Sequence, residues 1–281
     1  MKQITIIGTG LIGGSLGLAL TQHAPDVHIV GCDRESVLQQ ARMMGAIDEG
    51  CTSPEQAVRQ SDLIILATPV GSIIDLIERI GPLAPPRSLI TDVGSTKSEI
   101  MTRAKDVFGA DVCTRFLPGH PMAGKETGGI ECADGTLFEG AVWLITPYSD
   151  QDLNNGAIGN YLQLIKKIGG RVLPIDPAQH DRICGWVSHL PQMLSTALAS
   201  TLVEELANDS DANAIGGRAL REMTRIAQSP YSMWRDVALT NTKNIQDALL
   251  RVEQKLAHIR ENLRTRELEE EFERANQFRK S

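Results

Sequence analysis

Residues 3–14, QITIIGTGLIGG, contain a short β-branched run, a glycine turn and the beginning of an apolar helical pattern. Gly8, Gly10 and Gly13 form G-x-G-x-x-G between the predicted strand and helix, the context in which this pattern indicates a dinucleotide-binding turn. The first glycine permits the tight turn, the second lets a pyrophosphate approach the backbone, and the third lets the helix pack against the strand. The N-terminus of the helix then offers free N–H groups to the phosphates.

A second strand is predicted over VHIVGCD at 27–33, and it ends in an acid. Asp33 lies 20 residues after Gly13, where a carboxylate can accept hydrogen bonds from the ribose hydroxyls of a bound dinucleotide. A carboxylate there would repel a 2′-phosphate, so NAD is favoured over NADP. Arg34 weakens this preference, because a guanidinium beside the ribose could equally meet a phosphate.

Strands and helices alternate as far as about residue 175. Further strands are predicted at 63–69, 88–94, 141–147 and 171–175, with helices between them. The alternation predicts a doubly wound, mostly parallel α/β domain of the Rossmann type over residues 1–175. Ligands bind at the carboxyl edge of such a sheet, where Ser95 is expected to lie. Ser95 has an alternative role, because it could equally cap the helix predicted to begin near 96. The residues predicted to bind the cofactor are Gly8, Gly10, Leu11, Ile12, Gly13, Asp33, Arg34, Thr68, Pro69 and Asp92.

The remainder, residues 176–281, has helical patterns and no predicted strand. Apolar residues recur every three or four positions over 180–206, which predicts a mostly buried helix, bent at Pro191. A short heptad seam runs from Ile245 to Leu263, followed by a charged, solvated helix. Because long apolar helices in so small a domain often complete their core against a partner chain, we expect a homodimer through this all-α domain.

The amino-acid composition indicates the cellular compartment of the protein and the class of molecule that it binds. The chain has 42% hydrophobic and 22% charged residues and a net charge of −7, which is typical of a soluble globular protein and disfavours nucleic-acid binding. The N-terminal apolar run is too short for a signal peptide, and no membrane span is predicted. We expect a cytoplasmic protein with a small-molecule substrate. The cysteines, scattered without C-x-x-C spacing, signal neither a disulfide framework nor a zinc site; they are Cys32, Cys51, Cys113, Cys132 and Cys184.

The candidate reactive groups are three polar residues in apolar or small-residue surroundings, namely His120, His189 and Arg225. His120 lies in LPGHPMAGKETGG at 117–129, a segment with neither helical nor strand periodicity, and a neutral imidazole there could accept a proton from a substrate hydroxyl. Arg225 suits bidentate binding of a carboxylate. Each has an ordinary alternative: a structural loop histidine for His120, a core histidine for His189, and a simple ion pair for Arg225.

Together these motifs resemble one family, the prephenate and arogenate dehydrogenases of tyrosine biosynthesis. G-x-G-x-x-G alone is shared by many dehydrogenases, whereas GHPMAG, SHLP and TRIA with a helical second domain are specific to this family. The resemblance implies NAD-dependent oxidative decarboxylation of prephenate to 4-hydroxyphenylpyruvate, a step driven by aromatisation that needs no metal. Formation of tyrosine from arogenate, or use of both substrates, stays open. The matching segments are GTGLIGGSLG, GCDRES, DLIILATPV, TDVGSTK, GHPMAGKETGG, WLITP, HDRICGWVSHLP, TRIAQS and MWRD.

The resemblance also implies roles for individual residues. His120 would act as the base on the ring hydroxyl of the substrate, and Ser95 would contact the same hydroxyl and the nicotinamide. Arg225 would hold a substrate carboxylate, and His189 would orient the side chain. The residues implied in substrate binding are His189, Arg225, Glu126, Lys125 and Trp234, with Glu126 at the mouth of the pocket.

Four positions depart from the pattern that we expect of the family. Lys125 replaces a small residue beside the pocket mouth, Gln192 follows SHLP where a second histidine is frequent, and Leu220 and Glu222 replace an aromatic residue and an aspartate. We expect these changes to leave the reaction class intact and to bear on the preference between prephenate and arogenate and on inhibition by tyrosine. We expect a monofunctional form without a regulatory ACT domain or a fused chorismate mutase.

Two other functions compete with this interpretation. A β-hydroxyacid dehydrogenase or an imine reductase would share the two-domain plan but would need a catalytic lysine on the helical domain, where none is convincingly placed. A non-catalytic NAD sensor would leave His120 and Arg225 without a role. Turnover of a cyclohexadienol substrate would separate an enzyme from a sensor.

Overall fold

A six-stranded sheet forms the centre of the first half of the chain in the computed structural model, which describes residues 1–154, 156–207, 209, 211 and 215–280. Its strands are β1 (Gln3–Ile7), β2 (His28–Cys32), β3 (Glu49–Cys51), β4 (Leu63–Leu66), β5 (Leu89–Asp92) and β6 (Phe116–Leu117). All neighbouring strands are parallel, in the order β3-β2-β1-β4-β5-β6. The order reverses between β1 and β4, as in a doubly wound fold, so the predicted fold class is confirmed.

Helices cover both faces of this sheet. Leu63 and Ile65 of β4 belong to one apolar cluster, and Ile64 and Leu66 belong to the other. Burial on both faces explains why β4 reads as a continuous apolar run rather than an alternating one. The helices are α1 (Leu11–His23), α2 (Glu35–Met43), α3 (Pro54–Ala57), α4 (Val70–Ile80), α5 (Ser98–Phe108) and α6 (Val112–Arg115).

A second, three-stranded sheet carries His120. It consists of β7 (Gly119–Pro121), antiparallel to β8 (Val142–Ile145), which is parallel to β9 (Arg171–Pro174); α7 (Gly156–Lys167) connects β8 and β9. The prediction that 117–129 contains no strand is therefore wrong at 119–121. Three residues flanked by proline and glycine are too few to show the alternation that identifies a strand.

The second half of the chain is helical, as predicted. Its elements are α8 (Pro177–Cys184), a π-helical turn (Gly185–His189), α9 (Leu190–Glu205), α10 (Arg218–Thr224), a 3₁₀ turn (Arg225–Gln228), α11 (Tyr231–Thr240), α12 (Thr242–Glu261) and α13 (Arg266–Lys280). The π turn ends two residues before Pro191, which has no N–H to bond to an upstream carbonyl. In the described part of the chain, no helix is both long and apolar enough to cross a bilayer.

The prediction that 180–206 forms a mostly buried helix is wrong for the single chain. Val187 is 61% exposed and Val203 is 72% exposed, although the pattern of apolar residues is helical. The apolar pattern marks a face that can be buried, but the pattern does not say whether the same chain covers it.

Carboxylates of the helical half cap helices of the sheet half. Asp181 Oδ1 and Oδ2 accept hydrogen bonds from the backbone N–H groups of Lys97 and Ser98, at 2.8 and 2.9 Å. Asp236 Oδ2 accepts from the N–H of Gly71 in α4 at 2.9 Å. Since α5 begins at Ser98 and is capped by Asp181, the alternative prediction that Ser95 caps this helix is wrong.

The glycine turn after β1 is set by close backbone contacts. Gly8 has a φ of +92°, and a Cβ at Gly13 would lie 1.9 Å from the carbonyl oxygen of Gly8. At Gly10, by contrast, no heavy atom of the described residues outside its chain neighbours lies within 4 Å of where a Cβ would stand. Gly13 is therefore required by packing, whereas Gly10 leaves open space.

We expect Gly13→Ala to lower the free energy of unfolding by at least about 2 kcal/mol, because a backbone oxygen cannot move aside as a flexible side chain can. Gly10→Ala is the matched control and should cost under about 1 kcal/mol, since its Cβ enters open space. Urea unfolding followed by circular dichroism measures both. Equal losses in the two variants would contradict this account of the turn.

Candidate active site

A cavity of about 400 Å³ lies between the carboxyl edge of the six-stranded sheet and the helical half of the chain. Its walls come from the N-terminus of α1, the turns after β4 and β5, the segment 120–129, and α11 with the turn before it. The cavity brings together side chains from distant parts of the sequence, as predicted for the edge of a doubly wound sheet. The predicted site residues that line it are Leu11, Ile12, Thr68, Pro69, Ser95, His120 and Lys125.

The glycine turn and the end of β2 fit a dinucleotide. Asp33 accepts hydrogen bonds from the N–H groups of Thr9 and Arg34, both at 2.8 Å, which fixes its carboxylate beside Gly8 on a second concave surface. Helix α1 begins without a side-chain cap from the residues described, so the N–H groups of its first turn are available to an anion. Open space at Gly10 allows that anion to approach.

Three buried side chains, His120, His180 and Asp181, connect the cavity to the helical half, and we call them the histidine relay. His120 Nδ1 lies 2.9 Å from His180 Nε2. His180 Nδ1 in turn lies 2.9 Å from Asp181 Oδ1. The relay therefore links β7 to α8, and through Asp181 to the N-terminus of α5.

The hydrogen bonds of the relay determine which ring nitrogens carry protons. Hydrogen bonds from His180 and Ser98 outweigh the opposing effect of burial and lower the pKa of Asp181, so its carboxylate accepts only. His180 therefore keeps its proton on Nδ1, and its Nε2 accepts a hydrogen bond from His120 Nδ1–H. The lone pair of His120 is then at Nε2. Burial lowers the pKa of both imidazoles, that of His120 well below its ordinary value, so both rings are neutral near pH 7.

Asp92 lies beneath the cavity rather than in its wall. Its carboxylate is fully buried, forms an ion pair with Lys97 Nζ, and accepts hydrogen bonds from the N–H groups of Gly94 and Gly119. Lys97 Nζ also donates to the carbonyl oxygen of Gly119 at 2.7 Å. The predicted contact of Asp92 with the cofactor is therefore replaced by a structural role, in which Asp92 and Lys97 hold the strand that carries His120.

His189 and Trp234 present donors without partners. His189 Nδ1 faces the side-chain amide of Asn241 at 3.0 Å and accepts a hydrogen bond from its Nδ2, so the proton of the neutral ring is on Nε2. Burial lowers the pKa of His189 to about 4. Trp234 Nε1 is buried and has no hydrogen-bond partner among the residues described, and His189 Nε2 makes no hydrogen bond of normal geometry, although the His189 ring lies close to the backbone of Ser95. The two rings are edge to face, with their centroids 5.9 Å apart. Two unmet N–H donors side by side suit a ligand with acceptor oxygens.

Of the predicted substrate-binding residues, only Lys125 lines the cavity, whereas Glu126, His189, Arg225 and Trp234 do not. Arg225 forms an ion pair with Glu126, and 62% of the arginine side chain is exposed. Gln192 Nε2 donates to the carbonyl oxygen of Ile226 at 3.0 Å, which ties α9 to the turn that carries Arg225. Lys125 Nζ donates to the carbonyl oxygen of Cys132 at 3.0 Å. The ion-pair alternative for Arg225 is thus observed, with the predicted mouth residue as its partner.

Sequence reasoning missed Lys97, His180 and Asp181. Nothing local in the segments HDRICGWVSHLP and TDVGSTK, which contain these residues, indicates that α8 packs against β7 and α5. The signal that could have found His180 and Asp181 is the pair His-Asp at the start of the helical pattern over 180–206, because adjacent polar residues in a helix with apolar neighbours need partners.

Family models match most of the chain in two parts. Residues 16–174 match the model described as prephenate dehydrogenase, nucleotide-binding domain. Residues 176–277 match the model described as prephenate dehydrogenase, dimerization domain.

Individual proteins give the same result. The chain is 35% identical over 242 residues to a prephenate dehydrogenase of Lactococcus lactis and 33% identical over 248 residues to one of Bacillus subtilis, matches that cover 86% and 87% of this chain. They span 65% of the length of each of these relatives. The solved structure of an A. aeolicus prephenate dehydrogenase with hydroxyphenyl propionate and NAD+ superposes with a TM-score of 0.87 at 31% identity, covering 100% of this chain and 96% of that one.

We expect ring-nitrogen NMR shifts at pH 7 to show protonated Nδ1 and unprotonated Nε2 in both His120 and His180, because the relay requires these tautomers. His189 should show the opposite tautomer, with its proton on Nε2, and serves as the internal control. At pH 6 the rings of His120 and His189 should stay neutral, since burial lowers the pKa of His120 well below its ordinary value and that of His189 to about 4. A proton on Nε2 of His120 would exclude the relay as described.

Proposed function

The chain belongs to the prephenate dehydrogenase family, and we propose that it catalyses the NAD-dependent oxidative decarboxylation of prephenate to 4-hydroxyphenylpyruvate. The observation that carries this proposal is the histidine relay. It supports a neutral base, His120, in the wall of a cavity that also borders the N-terminus of α1. A base beside a dinucleotide site is what removal of a hydride and a hydroxyl proton requires.

We propose NAD, rather than NADP, as the cofactor. Gly10 and the N-terminus of α1 would hold the pyrophosphate, and Asp33 would accept hydrogen bonds from the ribose. Asp33 and Asp75 line this concave surface together with Arg34 and Arg79, so the preference for NAD rests on the position of Asp33 at the end of β2 rather than on the net charge of the surface. When bound, NAD accepts the hydride that leaves the substrate ring.

His120 Nε2 would take the proton of the ring hydroxyl. The bond from His120 Nδ1 to His180 keeps the ring oriented, and Asp181 stabilises the charge that His120 acquires through His180. Ser95 lines the same cavity and would donate to or accept from the same hydroxyl. The loss of carbon dioxide that accompanies the reaction makes the ring aromatic and drives the step.

The buried N–H groups of His189 and Trp234 favour prephenate over arogenate, although these residues lie next to the cavity wall at Ser95 rather than in it. The two substrates differ by a keto oxygen, which accepts hydrogen bonds, and an ammonium, which donates them. His189 Nε2–H and Trp234 Nε1–H can donate to a keto or carboxylate oxygen and can accept nothing from an ammonium. Glu126, a carboxylate that could attract an ammonium, is already paired with Arg225. Arg225 would bind a substrate carboxylate, which would replace Glu126 as the partner of its guanidinium group.

We propose further that the protein is a cytoplasmic homodimer, with domains meeting between residues 175 and 176. Exposed Leu256 and Leu263 of the heptad seam, and Val203 of α9, give the helical half an apolar surface that a second copy would cover. The cysteines are unpaired, as in a reducing compartment. Tyrosine has the ring hydroxyl of the product and would compete for the contacts of His120 and Ser95.

The proposal is tested by following NADH formation with prephenate and with arogenate in parallel. We expect prephenate to be oxidised at least about tenfold more efficiently, because one lost hydrogen bond to a buried donor costs at least about 1.4 kcal/mol. Equal rates would exclude the assigned preference. Binding of NAD without turnover of either substrate would instead identify a sensor.

Two variants separate the roles of the base and the anion-binding residue. His120→Asn should lower kcat at least about 100-fold with little change in the KM for prephenate, because the proton acceptor is lost while the site keeps its shape. Arg225→Gln should chiefly raise that KM, because it removes a charge that binds the substrate before and during the reaction. The opposite pattern would show that the two roles are exchanged.

A further inference from the structure

Three potential metal ligands converge behind the wall of the active-site cavity. His120 Nδ1, His180 Nε2 and Cys184 Sγ all lie within 4.8 Å of one another, and all three residues are buried. The two nitrogens are 2.9 Å apart, and Cys184 Sγ is 3.7 Å from His180 Nε2. Cys184 takes no part in the proposed chemistry, so its presence beside the relay calls for a separate explanation.

The topology produces this cluster where the sequence spacing does not. His180 and Cys184 stand one turn apart on α8, so both face the same direction, and β7 brings His120 against them. No C-x-x-C pair is involved, which is why the cysteine pattern alone predicts no zinc site.

We propose that His120 Nδ1, His180 Nε2 and Cys184 Sγ form an inhibitory binding site for a thiophilic divalent cation, with Zn²⁺ as the best fit. Tetrahedral zinc requires roughly 3.3 Å between two ligating nitrogens and roughly 3.6 Å between nitrogen and sulfur. The observed 2.9 and 3.7 Å are each within 0.4 Å of these values. For zinc to bind, the two ring nitrogens must move slightly apart. Cys184 Sγ lies at most 4.8 Å from His120 Nδ1, so it must approach that nitrogen by no more than about 1 Å.

The surroundings suit a divalent cation. Asp181 Oδ1 already accepts from His180 Nδ1, the carboxylate–histidine arrangement that orients imidazole ligands of zinc. Charge also favours the ion. The neighbouring Asp92, Lys97 and Asp181 have a combined charge of −1 when ionised. Adding Zn²⁺ and a Cys184 thiolate brings the cluster to zero, so the bound metal is not an isolated buried charge.

Metal binding would disable the base by moving its proton. The proton on His120 Nδ1 must leave before Nδ1 can bind the metal, and the neutral ring then carries its proton on Nε2, the nitrogen that would otherwise accept the substrate proton. Cys184 loses its thiol proton to solvent, so one proton is released for each Zn²⁺ bound, and no electron is transferred. The binding step is independent of the proposed reaction, whereas the inhibition rests on it.

The binding site is tested by titrating the full chain with Co²⁺, a spectroscopic substitute for Zn²⁺. We expect a thiolate-to-cobalt absorption band that saturates at one equivalent and is abolished by one equivalent of Zn²⁺. Cys184→Ala should remove the band, and Cys113→Ala, which changes a cysteine outside the cluster, should retain it. Binding of NAD verifies that each variant is folded. A band that persists in Cys184→Ala, or is lost in Cys113→Ala, would overturn the assignment.

The inhibitory role is tested by NADH formation from prephenate in the presence of Zn²⁺. We expect inhibition that a chelator reverses, and a half-inhibitory concentration raised about 30-fold or more in Cys184→Ala, whose activity without metal should match that of the unmodified chain. Equal inhibition of the two proteins would overturn the proposal. If prephenate is not the substrate, the assay fails with every variant while the cobalt band persists, which distinguishes the two failures.

Discussion

The rest of the site depends on the hydrogen bonds that the carboxylate of Asp181 accepts. One side chain of the helical half caps α5 through the N–H groups of Lys97 and Ser98 and also binds His180. An N-terminal cap is worth about 1 kcal/mol, and leaving a buried partner unsatisfied costs about 1–3 kcal/mol. Because one group makes all these contacts, the docking of the two halves and the proton arrangement of the base cannot vary independently.

The buried pair of Asp92 and Lys97 has a related function within the sheet half. Burial raises the pKa of Asp92 and lowers that of Lys97, and their attraction opposes both shifts. A buried ion pair is weak evidence for stability, since desolvation offsets much of the attraction. Its value here is geometric: both side chains bond to the backbone of Gly119 and so fix the strand that presents His120.

The parts of the molecule that could be predicted from sequence are those encoded locally. The glycine turn and Asp33 need only a strand, a turn and a spacing, and His120 and Ser95 follow from a resemblance between short motifs. The strands β8 and β9 were predicted, but their place with β7 in a second sheet could not be, because β7 has three residues and its pairing with β8 is a long-range contact. His180 and Asp181 were missed for the same reason, since their partners lie on other elements. The exposed face of α9 could not be assigned, because an apolar pattern does not identify which chain buries it.

The low pKa of His120 constrains how the proposed reaction can proceed. Burial is the largest cause, and the nearby Lys97 contributes by disfavouring a second positive charge. So weak a base cannot remove a proton from an alcohol in advance. As hydride leaves the carbon that bears it, however, the hydroxyl becomes a protonated carbonyl and a strong acid, for which a weak base is sufficient. Proton transfer to His120 must therefore accompany or follow hydride departure, and the relay serves to hold an unprotonated nitrogen in place until that moment.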